Sequence, residues 1–184
     1  MTEAGISDAV IISDYNYGVA DPTIGDAIRK AVSGRGIPVL VDSRFRLSSF
    51  SGFTSATPNE DEVEQLLGAE HSDDAKLESV AEQLRQRLGY KALLVTRGGH
   101  GMTLLEANTA PLHIDAVGSR QPVDVTGAGD AVIATYTLAL ASGASFADAA
   151  RLANLAGGIV VMKRGTATVS AAELLASISR VTNE

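Results

Sequence analysis

The chain has 184 residues, 45% of them hydrophobic, which is enough for one domain with a core of its own. A net charge of −7, an aromatic content of 4% and the lack of Trp argue against a nucleic-acid partner, and the lack of Cys removes disulfides, thiolate metal sites and a Cys nucleophile. No apolar run reaches membrane-spanning length, and Met1 to Gly5 lack the basic and apolar parts of a secretion signal, so a cytoplasmic location without a membrane partner is expected.

Ala9 to Ser13 is a short apolar run closing at Asp14 and reads as a buried strand. A helix over Pro22 to Val32 follows, with Asp21 as N-cap and Pro22 at the first helical position; Gly34 and Gly36 end it. Ile37 to Val41 is the second strand, closing at Asp42, and the polar stretch from Ser43 to Gly52, with Arg44 and Arg46, reads as a loop. Thr54 to Thr57 is a short third strand. Glu60 to Leu67 is a helix ended by Gly68, Ala75 to Leu88 an amphipathic helix, and Lys91 to Thr96 a further strand. Alternating strands and helices predict a parallel sheet covered by helices on both faces. Ligands of such sheets bind beyond the carboxyl ends of the strands, which gathers Asp14, Asp42, Asn59 and Thr96 on one rim. The pattern then changes. Arg97 to Gly101 reads as a turn, Met102 to Leu105 and Pro111 to Ile114 as strands of a meander, and Gly127 to Ser142, Phe146 to Met162 and Ser170 to Ser179 as helices. No internal repeat or low-complexity linker divides the chain, so residues 1–184 read as one α/β domain with a mostly parallel sheet flanked by helices.

The segment Pro122 to Asp130 is the most informative. It is polar and Gly-rich and runs directly into helix-forming residues from Ala131 to Ala141. The unbonded N–H groups of a first helical turn point outward and the helix dipole adds partial positive charge, so such a turn holds anions. Gly127 and Gly129 permit close approach of a ligand, and Asp130 sets a carboxylate beside it. This arrangement suits transfer of a phosphoryl group to a hydroxyl: Gly127, Ala128 and Gly129 would stabilise the moving charge and Asp130 would accept the hydroxyl's proton. Any Gly-rich N-cap with an acidic first turn would look similar, but Asp124, Val125 and Thr126 in front make the pattern specific. A dinucleotide fingerprint fits worse, because a helix and not a strand comes next, and no P-loop pattern occurs.

Asn59 and Glu62 form a capping box, and the run of three carboxylates there also makes a hard-oxygen site for hydrated Mg²⁺, held by Asn59 and Glu62 partly through water. Thr96 to Gly101 is either a plain hairpin turn or a shallow nucleotide ledge shaped by Thr96, Gly98 and Gly101. His100 within it is expected to be an exposed turn residue without a catalytic role. Asn154 lies among Ala, Leu and Gly, and either faces a ligand or hydrogen-bonds within the core.

Asp124-Val-Thr-Gly-Ala-Gly-Asp130, Asn59-Glu-Asp-Glu62 and the glycine turn after Thr96 resemble, in the same order, the motifs of the ribokinase-like (PfkB) family of carbohydrate kinases, and the likeness covers almost the whole chain. Ile12 to Tyr15, Ala110 to His113, Val123 to Ile133 and Val160 to Ser170 are similar to the branch that phosphorylates the anomeric hydroxyl of heptose 7-phosphate. The resemblance implies a ribokinase-like fold, ATP as donor, Mg²⁺ near Asn59 and Glu62, and a monovalent cation such as K⁺ near Asp124 and Thr126. It places adenine between the Asn154 helix and the Gly98 turn, and makes Asp130 the catalytic base. Asn16 and Tyr17 follow Ser-Asp-Tyr where that branch often has a Lys, and Arg44 and Arg46 occupy a loop where it also tends to have one. Family members carry a longer N-terminal portion with further strands, a β lid and most acceptor-binding residues. The expectation is therefore the C-terminal part of the fold, an N-terminally truncated kinase domain without the lid, its bare sheet edge covered by a second copy or a partner chain. Two functions follow: ATP-dependent phosphorylation of a sugar phosphate, heptose 7-phosphate to heptose 1,7-bisphosphate foremost, or a non-catalytic nucleotide-binding or structural subunit whose partner supplies the acceptor site.

Overall fold

Six strands pair in chain order into one sheet: β1 (Val10–Asp14), β2 (Val39–Ser43), β3 (Ser55–Ala56), β4 (Ala92–Thr96), β5 (Met102–Glu106) and β6 (Leu112–Ile114). In this computed structural model, which describes residues 3, 6–68, 73–118 and 122–181, β1 to β4 run parallel while β5 and β6 return as an antiparallel meander. The helices are α1 (Pro22–Val32), α2 (Glu60–Leu67), α3 (Asp74–Leu88), α4 (Ala128–Ala141), α5 (Phe146–Val160) and α6 (Ala171–Val181).

Strand alternation decides which helix covers which face. Val39, Val41, Leu93, Val95 and Leu105 point into one core, with Phe50, Val63, Leu77 and Leu84 from the loops, α2 and α3. Their neighbours Leu40, Ala92, Leu94 and Leu104 point into the other, against Val132 and Tyr136 of α4 and Ala149 and Ala153 of α5. Each fully buried Val or Leu side chain among them contributes about 1.5–3 kcal/mol. Both faces are covered, as expected, and the division follows the chain. Parallel strands joined by right-handed crossovers and stepping in one direction place their connecting helices on one face. Residues of α1, α2 and α3 all pack on the first core, which leaves the second to α4 and α5.

Most element ends shift by one or two residues from the sequence reading, and two differences bear on the rim. Strand β2 begins at Val39 and not Ile37, because Pro38 has no N–H for the ladder, and it runs on through Asp42 and Ser43, which pair with Ser13 and Asp14. The stretch 43–52 is more than a polar loop. It contains a 3-10 turn, Leu47–Phe50, whose two apolar ends are buried, and the Tyr90 hydroxyl donates to the Phe50 carbonyl at 2.6 Å. Strand β1 is an outer edge of the sheet, and Ile11 on it is 40% exposed.

Candidate active site

The strand ends form the expected rim. Asp14 closes β1 and is buried; its carboxylate accepts two hydrogen bonds from the Arg46 guanidinium, at 2.6 and 3.1 Å, one from the Ser43 hydroxyl and one from the Asn16 N–H. Burial pushes this carboxyl up, but the hydrogen bonds from Arg46, Asn16 and Ser43 outweigh it and hold Asp14 below its usual range. Asp14 and Arg46 therefore brace the rim, with the Arg46 Nε and Nη2 committed to Asp14 and to the Ala20 carbonyl. Asn59 bridges to Thr96, the last residue of β4. The capping box is formed: the Glu62 N–H donates to Asn59 Oδ1 at 2.8 Å and the Asn59 N–H to Glu62 Oε2 at 2.9 Å.

Helix α4 starts on this rim. Gly127 is its N-cap in the left-handed region (φ 80°), and no side chain caps the first turn. The N–H of Ala128 is drawn back onto the Val125 carbonyl at 3.2 Å, so of the three expected donors it is the one already engaged. The N–H groups of Gly127, Gly129 and Asp130 have no partner among the described residues, which leaves a helix N-terminus with open donors. Asp124 anchors the approach to it. One of its oxygens accepts the Thr126 N–H and the other the Gly165 N–H, each at 2.9 Å, and these bonds, with the Thr126 hydroxyl, hold its carboxyl below the usual range.

A cavity of about 340 Å³ leads to this turn. The Gly98–Gly101 turn forms one wall and Ala128 and Gly129 close one end. Asn154, Gly157 and Gly158 of α5 form another wall. Asn154 is 5% exposed and donates to the Asp115 carbonyl at 2.8 Å, so both readings of it hold: it is paired inside the fold and it lines the cavity. His100 is exposed, as expected.

Asp130 lies at the mouth, exposed, and its Oδ1 accepts the Tyr15 hydroxyl at 2.6 Å. That bond first, then burial and the Asp130 charge, push the Tyr15 phenol up to about 12. The Arg44 guanidinium lies 5.2 Å from the centre of the Tyr15 ring. Asp42 is pushed up to about 6 by burial, then by the Asp130 charge, with Arg44 acting against both. Burial and the Asp42 charge likewise raise Glu62, although the Asn59 N–H lowers it. Burial, and then repulsion from neighbouring carboxylates, thus disfavour the charged forms of these two rim carboxylates.

The consequence for stability has a definite sign. Folded Asp42 holds its proton to about pH 6, whereas an unfolded Asp loses it near pH 4. Its stabilising contribution is complete below about pH 4 and disappears as the pH rises to about 6. Asp42→Asn is expected to remove that fall and to stabilise the chain at pH 7 by roughly 2 kcal/mol. Urea unfolding of parent and variant at pH 4.5 and pH 7, without divalent metal, measures the difference; an equal gap at both pH values would contradict it.

The description "pfkB family carbohydrate kinase" matches residues 8–173, nine-tenths of the chain. The chain belongs to the pfkB family of carbohydrate kinases. The bifunctional protein HldE of Caulobacter vibrioides is 44% identical over 185 aligned positions, which take in all of this chain and 38% of that protein. HldE of Nitrosococcus oceani is 46% identical over 168, covering 90% of this chain and 34% of the relative. The chain therefore spans little more than a third of the relatives it matches. Among solved structures, the ribokinase of Arabidopsis thaliana complexed with ribose and ATP superposes with a TM-score of 0.83 at 23% identity, over 95% of this chain and 57% of that one. Phosphofructokinase-2 of Escherichia coli in complex with potassium gives 0.81 at 21% identity, with the same coverage. The fold is ribokinase-like, and the kinases of this family use ATP.

In this pfkB chain the expected nucleotide-binding residues Thr96, Gly98, Gly101 and Asn154 line one cavity with Ala128 and Gly129 of the expected anion-holding turn; Gly127 does not line it, Asp130 lies at its mouth, and Asn59 and Glu62 stand on the same rim outside it. Sequence reasoning missed Tyr15, because nothing local ties it to a residue 115 positions away. It also missed Gly157 and Gly158, for which there was a signal: adjacent glycines inside a helix cost about 1 kcal/mol each relative to Ala and call for a reason. The reason is space. A Cβ on Gly158 would stand 2.4 Å from the Val117 carbonyl oxygen. Among the described residues no helix is long and apolar enough to cross a membrane.

Proposed function

We propose that this chain carries the phosphoryl-transfer centre of a sugar-phosphate kinase, which passes the γ-phosphoryl group of ATP to the anomeric hydroxyl of heptose 7-phosphate and yields heptose 1,7-bisphosphate. The observation that carries the reading is the uncapped N-terminus of α4, with open N–H groups, closing a nucleotide-sized cavity and holding Asp130 at its mouth. Adenine would lie between Asn154 and the Gly98–Gly101 turn. The N–H groups of Gly127, Gly129 and Asp130 would face the transferred phosphoryl oxygens, joined by Ala128 if its weak turn bond opens. In a loose transition state the acceptor proton leaves late, so Asp130 first orients the hydroxyl and then takes its proton.

Mg²⁺ suits the rim. Glu62 and Asp42 are both raised above their ordinary range, by burial first and then by neighbouring carboxylates, and a divalent cation would offset both effects. No group of three or more ligating side chains stands together among the described residues, so Asn59 and Glu62 would hold the ion through water. Bound there, Mg²⁺ supplies charge neutralisation for the phosphates. A K⁺ ion beside Asp124 and Thr126 would stiffen the turn that presents the open N–H groups. ATP as donor accords with a cytoplasmic location.

The second reading, a nucleotide-binding subunit that needs a partner, is favoured by one observation. Among the described residues no strand pairs with the outer edge of β1, and Ile11 on that strand is 40% exposed. A second copy or a partner chain would cover that edge. Mass in solution together with ATP turnover on heptose 7-phosphate separates the readings. ADP release matched by heptose 1,7-bisphosphate supports the kinase; ATP binding without release in either oligomeric state supports the subunit.

A further inference from the structure

We propose that Tyr15 is the positioning residue of the site: its hydroxyl fixes the Asp130 carboxylate in one orientation and leaves Oδ2 as the oxygen that meets the acceptor. The inference rests on the reading of Asp130 as the acceptor's base, and it adds a residue from the opposite end of the chain to that base's machinery.

Asp130 needs such a partner. It is exposed on the first turn of α4, and no cation forms an ion pair with it among the described residues. An exposed carboxylate without a partner samples several rotamers, and only some of them face an acceptor beside the open N–H groups. The one hydrogen bond recorded for its side chain comes from the Tyr15 hydroxyl at 2.6 Å, a short charge-assisted contact.

Tyr15 is itself held in place. It follows Asp14, whose carboxylate is locked by Arg46 and Ser43. After it the chain turns at Asn16, in the left-handed region at φ 62°, and the Asn16 N–H donates to Asp14 Oδ1 at 2.9 Å. The Arg44 guanidinium covers the ring. A rigid strand end, a clamped turn and a stacked cation thus aim one hydroxyl at one carboxylate oxygen. Because that bond raises the phenol, Tyr15 remains a donor throughout the neutral range. A base that mainly orients a hydroxyl gains most from having its own orientation fixed.

The pairing can be read without turnover. In protein labelled with ¹³C at tyrosine Cζ, the four tyrosines give four resonances near neutral pH, and Tyr15→Phe identifies the one from Tyr15. Asp130→Ala is expected to move that resonance towards a solvated phenol and to leave the other three in place. An unmoved resonance in a variant with parental circular dichroism overturns the proposal. In turnover, Tyr15→Phe keeps the ring against Arg44 and is expected to lower kcat about tenfold with the KM for ATP unchanged. Parental kcat in Tyr15→Phe overturns the positioning role while the kinase reading stands. A parent chain that binds ATP and transfers nothing in any assembly removes the kinase reading itself, and this role with it.

Discussion

Asp130→Asn is expected to fold like the parent, to bind ATP, and to transfer phosphoryl groups about 10²–10⁴-fold more slowly. The side chain is exposed and, among the described residues, hydrogen-bonds only to Tyr15, from whose hydroxyl an amide oxygen can still accept, so the cost in stability should stay within about 0.5 kcal/mol. Nucleotide affinity should hold because Asp130 does not line the cavity, and the main-chain N–H groups that would face the phosphates are untouched by the substitution. What disappears is the negative charge proposed to receive the acceptor's proton. Circular dichroism, ATP calorimetry and coupled ADP release on the same sample check the three parts. A folded variant that turns over at nearly the parental rate would refute the role given to Asp130.

Gly101→Ala is expected to be the most damaging small substitution in the chain. Gly101 sits at φ 83°, where a side chain is strained in any surroundings. An added Cβ would lie 2.0 Å from the Ile114 carbonyl oxygen and 2.6 Å from the Ala116 nitrogen, both main-chain atoms that no rotamer change can move aside. The clash would push β6 away from β5, two strands paired in antiparallel register from Met102 to Ile114. A loss of at least about 3 kcal/mol follows from the strain and the displaced backbone together. Gly101, Thr96 and Ala116 share a wall of the cavity, so ATP affinity should fall by at least about tenfold in the molecules that still fold. Gly99→Ala is the control: nothing lies within 4 Å of its added Cβ and its φ is not positive, so stability should change by less than about 0.5 kcal/mol. Urea midpoints and ATP calorimetry measure both. Equal stability of the two variants would mean that the turn is not packed as described.

The features that the sequence made legible are local ones. The bounds of α2 follow from a capping box at one end and a glycine at the other, and both signals lie within one turn of the positions they decide. The α4 turn stands out for the same reason, since its glycines, its carboxylate and the helix behind them are contiguous. Strand β2 is misplaced by two residues because apolar runs mark burial, whereas Pro38 and the pairing of Asp42 and Ser43 decide the ladder. The 3-10 turn at Leu47–Phe50 has too short a period to be seen, and its two ends are buried only through Tyr90 and the surrounding core. Contacts across the sequence were out of reach altogether. The Tyr15–Asp130 bond, the raised proton affinity of Asp42 and the hold of Asn154 on Asp115 exist only once the strands are in register.

The centre of this reading is one physical arrangement, open main-chain donors at the start of α4 with a carboxylate turned towards an alcohol. Phosphorus-31 NMR of the chain with Mg²⁺, ATP and heptose 7-phosphate tests it most directly. Growth of an anomeric sugar-phosphate signal in step with ADP, abolished by Asp130→Asn, is the expected result. ADP appearing without that signal, or the signal growing equally in the variant, would contradict it.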